Sequence, residues 1–152
     1  MKRNTLIEII AALFILLFVY TATSKLFEFT KFRYVLHQSP LIGNMASIMA
    51  WVLPISELLI ALLLFIPRTR RWGLWASFGI MLLFTGYLGY MIYFTPDRPC
   101  NCGGVLKQMT WKQHLVFDIG FTLLALLGIW LQRRQTRMQA NNNDQVQHAV
   151  FT

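Results

Sequence analysis

The chain has 152 residues, of which 56% are hydrophobic and only 13% are charged. Average soluble chains are about 45–50% apolar and about 25% charged. A single small domain leaves much of its surface in water, so it cannot hide this much apolar side chain. The composition excludes a disordered chain, a soluble enzyme and a disulfide-dense secreted module, and it leaves an integral membrane protein.

The net charge is +8, from 14 Lys and Arg against six Asp and Glu. Domains that bind nucleic acid also have a basic excess, but there the basic residues cluster on a polar surface. Here they form short groups between apolar runs, as in sequences that encode membrane topology. The sequence therefore predicts the lipid bilayer, and not nucleic acid, as a partner.

Four apolar segments are long enough to be membrane helices, at about residues 6–24, 45–66, 72–95 and 112–132. A spanning helix needs about 17–25 mostly apolar residues. Consecutive helices with short connections pack antiparallel. The predicted fold is an all-α, four-helix antiparallel transmembrane bundle over residues 1–134.

The segments outside these helices have distinct compositions. In the first outer loop, about residues 25–44, aromatic and basic residues alternate, so we expect an extension of the first helix and a short interfacial helix, ended by Pro40 and Gly43. The second outer loop covers about 96–111. From residue 135 the chain is polar, and we expect 135–152 to form a disordered cytoplasmic tail.

The basic residues predict the orientation. Charges in short loops near helix ends weigh most, and the connection after Pro67 is such a loop. The side that holds both termini is therefore expected to be cytoplasmic, with both outer loops on the periplasmic side of a bacterial inner membrane. That side carries Lys2, Arg3, Arg68, Arg70, Arg71, Arg133, Arg134 and Arg137, and the opposite side carries Lys25, Lys31, Arg33, Arg98, Lys107 and Lys112.

The chain has two cysteines, Cys100 and Cys102, both in the second outer loop. Disulfides persist in the periplasm. A bridge at this spacing closes too small a loop to stabilise much. Its geometry is also awkward, because two extended residues span about 7 Å, beyond the usual ~4.4–6.8 Å between bridged Cα atoms. Strained, exposed disulfides are typically labile, so redox exchange is the favoured interpretation; a metal-binding dithiol and a structural or inert pair stay open.

Three of the six acidic residues, Glu8, Glu57 and Asp118, lie inside the apolar segments, where ionisable groups are costly and are candidates for function. Glu8 is close enough to the helix end to reach water, so no role is assigned to it. Glu57 falls near the middle of the second helix and should be neutral or paired inside the bundle. His114 and Asp118 are four residues apart, so they share a face of the fourth helix just below the cysteine loop. They are a candidate proton relay for thiol chemistry; a structural hydrogen bond at the helix start is the alternative.

Five motifs follow one another along the chain. They are Ser24-Lys25-Leu26, Trp51-Val-Leu-Pro-Ile-Ser-Glu57-Leu, Phe84-Thr-Gly-Tyr87, Cys100-Asn-Cys-Gly-Gly and Trp111-x-x-His114-x-x-Phe117-Asp118. With these motifs in this order, the chain resembles the MauE/DoxX-like family of four-helix membrane proteins, in the form common in Bacteroidetes. The similarity covers about residues 5–132.

The resemblance implies a redox-associated inner-membrane protein. The family is linked to methylamine metabolism, through maturation of a disulfide-rich periplasmic dehydrogenase alongside a thioredoxin-like partner. The resemblance also makes Lys25 a candidate site residue. The bundle is similar to those of DsbB and vitamin K epoxide reductase (VKOR), which pass electrons from thiols to quinone, so quinone is the candidate cofactor. Those enzymes usually use two cysteine pairs; this chain has one pair, which excludes an autonomous two-pair relay.

Three functions remain in competition. The first is a thiol–disulfide oxidoreductase in which Cys100 and Cys102 exchange with a periplasmic thioredoxin-like partner, with His114 and Asp118 handling protons. The second is a metal-handling protein in which Cys100, Cys102 and His114 bind a soft ion such as Cu(I). The third is a non-catalytic scaffold for a maturation partner.

Overall fold

The computed structural model describes residues 2–39, 41–94 and 111–150. Within these ranges the chain is helical. It forms α1 (Lys2–Phe27), α2 (Phe29–His37), a 3₁₀ turn (Gly43–Met45), α3 (Ala46–Phe65), α4 (Arg70–Phe94) and α5 (Trp111–Val150). Pro40, which the sequence predicts to help end the short interfacial helix, lies outside the described residues.

Four of these helices are long and apolar enough to cross a membrane, and the segments concerned are Thr5–Phe27, Gly43–Phe65, Arg70–Phe94 and Lys112–Asn141. The expected all-α four-span membrane bundle is thereby confirmed. Helices α1 and α4 each pack mainly against α3 and α5, so the four helices surround a shared core. The core includes Phe14 and Phe18 of α1, Leu64 of α3 and Leu74 of α4, all fully buried.

Glycines let the helices approach closely at two points near the basic end of the bundle. A Cβ atom on Gly73 would lie 2.9 Å from the backbone nitrogen of Leu64, so α3 and α4 touch there backbone to backbone. A Cβ atom on Gly128 of α5 would lie 3.1 Å from a methyl group of Leu74. Small residues allow this kind of approach between membrane helices, whose association depends on van der Waals packing.

The first outer loop contains the short helix expected there. The α1 helix continues to Phe27, and α2 is amphipathic, with Phe32 and Leu36 buried four residues apart. These two side chains pack on Ala46 and Ala50 of α3. A hydrogen bond from the Tyr87 hydroxyl to Ser39 Oγ, 2.9 Å long, ties the end of this segment to α4. The α2 helix therefore covers the end of the bundle that lies opposite the arginine-rich turn between α3 and α4.

The tail differs from the expectation of disorder for residues 135–152, because α5 continues without a break to Val150. The residues after Gly128 include no Gly or Pro and many good helix formers such as Gln, Arg, Met and Ala. Extending an existing helix also avoids the unfavourable nucleation step. The side chains from Thr136 to Asn141 are exposed, so this part of α5 leaves the bundle.

Candidate functional site

A buried ion pair joins α1 to α3. Lys25, in the last turn of α1, donates from Nζ to Glu57 Oε1. The Glu57 side chain is 1% exposed and that of Lys25 16%. The sequence predicts that Glu57 is either neutral or paired, and in the structure it is paired. Its partner is the basic residue in the last turn of α1.

Aromatic rings enclose the Lys25 ammonium. Its nitrogen lies 5.1 Å from the ring centre of Phe84 on α4 and 5.8 Å from that of Phe32 on α2. Both distances are within the range of cation–π attraction, which is stronger where water is excluded. Helices α1, α2, α3 and α4 therefore meet around one cation.

His114 and Asp118 complete the site from α5. Both interact electrostatically with Lys25. His114 Nε2 and Asp118 Oδ1 are 3.8 Å apart, which is an ion-pair contact but too long for a hydrogen bond. Their side chains are 18% and 7% exposed. The structure thus brings together Lys25, Glu57, His114 and Asp118, and we call these four residues the buried charge cluster.

One carboxylate oxygen of the cluster is left without a hydrogen-bond partner among the described residues. Glu57 Oε2 is buried and accepts no well-formed hydrogen bond from a described side chain. The Thr21 hydroxyl lies near this carboxylate and donates a hydrogen bond to the backbone carbonyl oxygen of Phe18 at 3.3 Å. Buried polar atoms are normally satisfied, so Oε2 is a natural acceptor for a water molecule or a mobile proton.

A pair of threonines lies one helical turn further into the bundle. Thr122 Oγ1 donates to the backbone carbonyl of Asp118 at 2.8 Å and lies 3.3 Å from Thr85 Oγ1 of α4. Hydroxyl groups thus continue the polar line from Asp118 toward α4. This contact fixes the register of the antiparallel helices α4 and α5 at the level of the cluster.

Cys100 and Cys102 lie outside the described residues. The described chain stops at Phe94, the end of α4, and resumes at Trp111, the start of α5. His114 is therefore in the first turn of the helix that follows the cysteine segment. Lys107, which the sequence also places in this segment, is outside the described residues as well.

The described residues alone do not form a site for a metal ion. In the ranges 2–39, 41–94 and 111–150, His, Cys, Asp and Glu side chains form no group of three or more suited to a metal. The copper hypothesis needs both cysteines in addition to His114, so the described part of the chain leaves it untested.

The role of Lys25 is only partly visible in the sequence. Its place at the end of the first span is typical of a charge that sets topology, and the family resemblance is what makes it a site candidate. A signal was present, because apolar Leu26 and Phe27 follow it, as expected if the charge lies within the apolar helix rather than after it. The contribution of Phe84 and the Thr85–Thr122 contact had no signal in the sequence, since both depend on the register of α4 against α1 and α5.

Fold and site together define a small four-span membrane protein with a buried charge cluster near one end of its bundle. A family model described as methylamine utilisation protein MauE matches residues 3–131. Since the match covers most of the chain, the protein belongs to the MauE family. No curated protein and no solved structure matches the chain significantly.

Proposed function

We propose that this MauE-family membrane protein exchanges thiol and disulfide equivalents with a periplasmic thioredoxin-like partner, through Cys100 and Cys102. The observation that carries the proposal is the buried charge cluster, which includes His114 in the first turn of the helix after the cysteine segment. A polar cluster of this kind inside a bilayer requires a reason, because intramembrane ionisable groups are expensive.

The proposed exchange balances without any further reactant. One cysteine thiolate attacks the partner's disulfide, so that the partner's sulfur–sulfur bond breaks and a mixed disulfide forms. The second cysteine then attacks this bond and releases the partner. Two electrons pass to the partner, whose disulfide becomes a dithiol, while the Cys100–Cys102 dithiol becomes a disulfide. The same steps in reverse transfer electrons from the partner, and neither direction needs a quinone.

The cluster would serve the protons of this exchange. Each attack needs a thiolate, and each leaving thiolate takes up a proton. The His114 imidazole can accept a proton from an attacking thiol and return it to a leaving one. Asp118, on the same face of α5, favours the imidazolium that forms in between. The positive charge of Lys25, which pairs with Glu57, offsets the negative charge of the carboxylates in the cluster.

The proposal includes the orientation of the chain. The cysteine segment faces the periplasm of a bacterial inner membrane, and both termini face the cytoplasm. The link of the family with methylamine utilisation suggests that the exchange supports maturation of a periplasmic protein.

A redox titration of the purified full chain tests the proposal. The protein is equilibrated in glutathione buffers of graded potential, quenched with acid and alkylated, and its free thiols and metal content are measured. We expect both thiols to disappear together into an internal disulfide, without bound metal, and Cys100→Ser to abolish that transition. Thiols that stay free across the series, or a reduced pair with stoichiometric metal, would contradict the proposal.

A further inference from the structure

A cavity of about 390 Å³ lies between α4 and α5 at the basic end of the bundle. Arg71 and Trp75 line it from the first two turns of α4. Its α5 wall consists of one helix face, formed by Ile129, Gln132, Arg133, Thr136 and Arg137. This site is separate from the buried charge cluster, because Phe84 follows Arg71 by 13 residues on α4, about 20 Å of helix.

The cavity has a strong positive charge without a described counter-charge. Three arginines line it, Arg71, Arg133 and Arg137. Among the described carboxylates, Glu57 and Asp118 belong to the buried charge cluster at the other end of the bundle, and Glu28 directly follows α1 there. The fourth carboxylate whose side chain the structure describes, Glu8, contacts Arg70 at 4.0 Å rather than a lining arginine, and the side chain of Asp144, further along α5, lies outside the described part.

The side chains that line the cavity are arranged to present hydrogen-bond donors. The guanidinium carbon of Arg133 lies over the Trp75 ring, 5.0 Å from the ring centre, which is a cation–π contact. Such a contact leaves the N–H groups at the edge of the guanidinium available. Gln132 and Thr136 add an amide and a hydroxyl on the same face of α5. Such a set matches the oxygen atoms of a phosphate group, which arginine binds in a bidentate manner.

The depth of the cavity matches that of lipid headgroups. Arg71 is the second residue of α4, and the last buried apolar residue among the described side chains of α5 is Leu131, just before Gln132. Of the residues that line the cavity, Ile129 is buried, whereas Trp75 is 38% exposed. Tryptophan at this level is typical of the interface between hydrocarbon and water. The cavity therefore lies where the apolar part of α5 gives way to its basic part.

From this combination we infer that the cavity binds the phosphate headgroup of an anionic phospholipid, whose acyl chains continue along the apolar faces of α4 and α5. Basic pockets between membrane helices at such a level bind anionic headgroups. Arginines that served only to set the orientation of the chain in the membrane would need neither a cavity nor hydrogen-bond donors from two helices. The site does not depend on thiol exchange.

Lipid binding to the full chain in neutral detergent, counted by native mass spectrometry, tests this inference. Phosphatidylglycerol and phosphatidylcholine are the two probes. We expect one phosphatidylglycerol to bind in preference to phosphatidylcholine. Each arginine near the headgroup contributes about fivefold in affinity, so Arg133→Gln/Arg137→Gln should weaken phosphatidylglycerol binding about 30-fold. Arg71→Gln, on the other helix, should weaken it about fivefold.

The matched control is Arg68→Gln/Arg134→Gln, which removes the same charge from the same end of the bundle. Arg68 is exposed, and Arg134 lies over the Trp130 ring at 4.4 Å; neither lines the cavity. The control should change binding by less than about threefold, a small part of the arginine contribution. Equal weakening by both double variants, no preference for phosphatidylglycerol, or displacement of the lipid by millimolar inorganic phosphate would overturn the inference.

Discussion

Lys25 and Glu57 are 32 residues apart in sequence, yet their side chains form an ion pair inside the bundle. The pair joins the last turn of α1 to the interior of α3, between the short helix α2 and the charged residues of α5. A single lysine thereby links all the membrane helices at one level, and the following predictions start from it.

Removing one partner of the pair should destabilise the protein more than removing both. Glu57→Leu leaves a mostly buried ammonium group without its counter-charge, and such a change costs about 3–5 kcal/mol. Glu57→Gln should destabilise the protein by about 1–3 kcal/mol less than Glu57→Leu does, because the amide oxygen still accepts a hydrogen bond from Lys25. The measurement is the free energy of unfolding in mixed detergent micelles.

The double variant Lys25→Met/Glu57→Leu completes this comparison. We expect it to be less destabilised than Glu57→Leu alone, and therefore to lose much less than the sum of the two single variants, since contacting residues are energetically coupled. Lys31→Met, at an exposed position of α2, is the control for loss of a lysine. Strictly additive losses would show that the ion pair contributes nothing to stability.

His114 should control the rate of thiol exchange rather than the amount of folded protein. His114→Ala should slow reaction of the reduced chain with oxidised glutathione by about 10²–10⁴-fold, the usual contribution of a general acid–base group. The defect should shrink as pH rises toward about 8.5, where a free thiol ionises without help. Asp118→Asn should act in the same direction but more weakly.

The control for this series is His37→Ala, which removes an exposed histidine of α2. It should leave the exchange rate unchanged. If His114→Ala lowers the yield of folded protein while exchange per molecule stays normal, the His114–Asp118 pair is structural. If His114→Ala releases a bound metal, the copper hypothesis replaces thiol exchange.

Two glycines of α4 should respond in opposite ways to the same substitution. Gly73→Ala places a Cβ atom 2.9 Å from a backbone nitrogen of α3, so the helices must separate. Overpacking of this kind costs about 1–3 kcal/mol. At Gly86 a Cβ atom meets nothing within 4 Å, and Gly86→Ala should be neutral or stabilising by up to about 1 kcal/mol. Equal unfolding free energies for the two variants would contradict the close α3–α4 contact.

The proposed orientation predicts which cysteines an impermeant thiol reagent reaches in intact cells. Asn142→Cys, made in a chain with serine at positions 100 and 102, should resist labelling until the membrane is permeabilised. The natural Cys100 or Cys102 should be labelled from outside after reduction. Labelling of the introduced tail cysteine in intact cells would reverse the orientation and remove the periplasmic basis of the redox proposal.

The membrane helices were predictable because their signal is local. Length and apolar composition identify each span without reference to the others, and the mixture of aromatic and basic residues after the first span indicates the α2 helix. The end of α5 was not predictable from polarity, since Gln- and Arg-rich sequence is compatible with either a solvated coil or the extension of a formed helix. Its continuation to Val150 depends on the helix already present before it.

The site was predictable in part, for a related reason. Glu57 and the His114–Asp118 pair attract attention because a charge in an apolar segment is exceptional. Lys25 lies near the end of a span, where a lysine normally anchors the helix in the interface; the apolar Leu26 and Phe27 after it are a weak signal, and the tertiary contact with Glu57 is what distinguishes the two roles. Enclosure of its ammonium group by Phe84 depends on the packing of α4, which no local pattern in the sequence encodes.

Trapping of a mixed disulfide tests the central claim most directly. Cys100→Ser and Cys102→Ser each remove one thiol, so the variant that keeps the attacking cysteine cannot resolve its adduct. We predict that one of the two variants accumulates a reducible complex with a periplasmic thioredoxin-fold protein, and that a Cys100→Ser/Cys102→Ser variant does not. If neither single variant forms a reducible complex, while a partner copurifies without a covalent bond, the protein is a scaffold and the exchange mechanism is wrong.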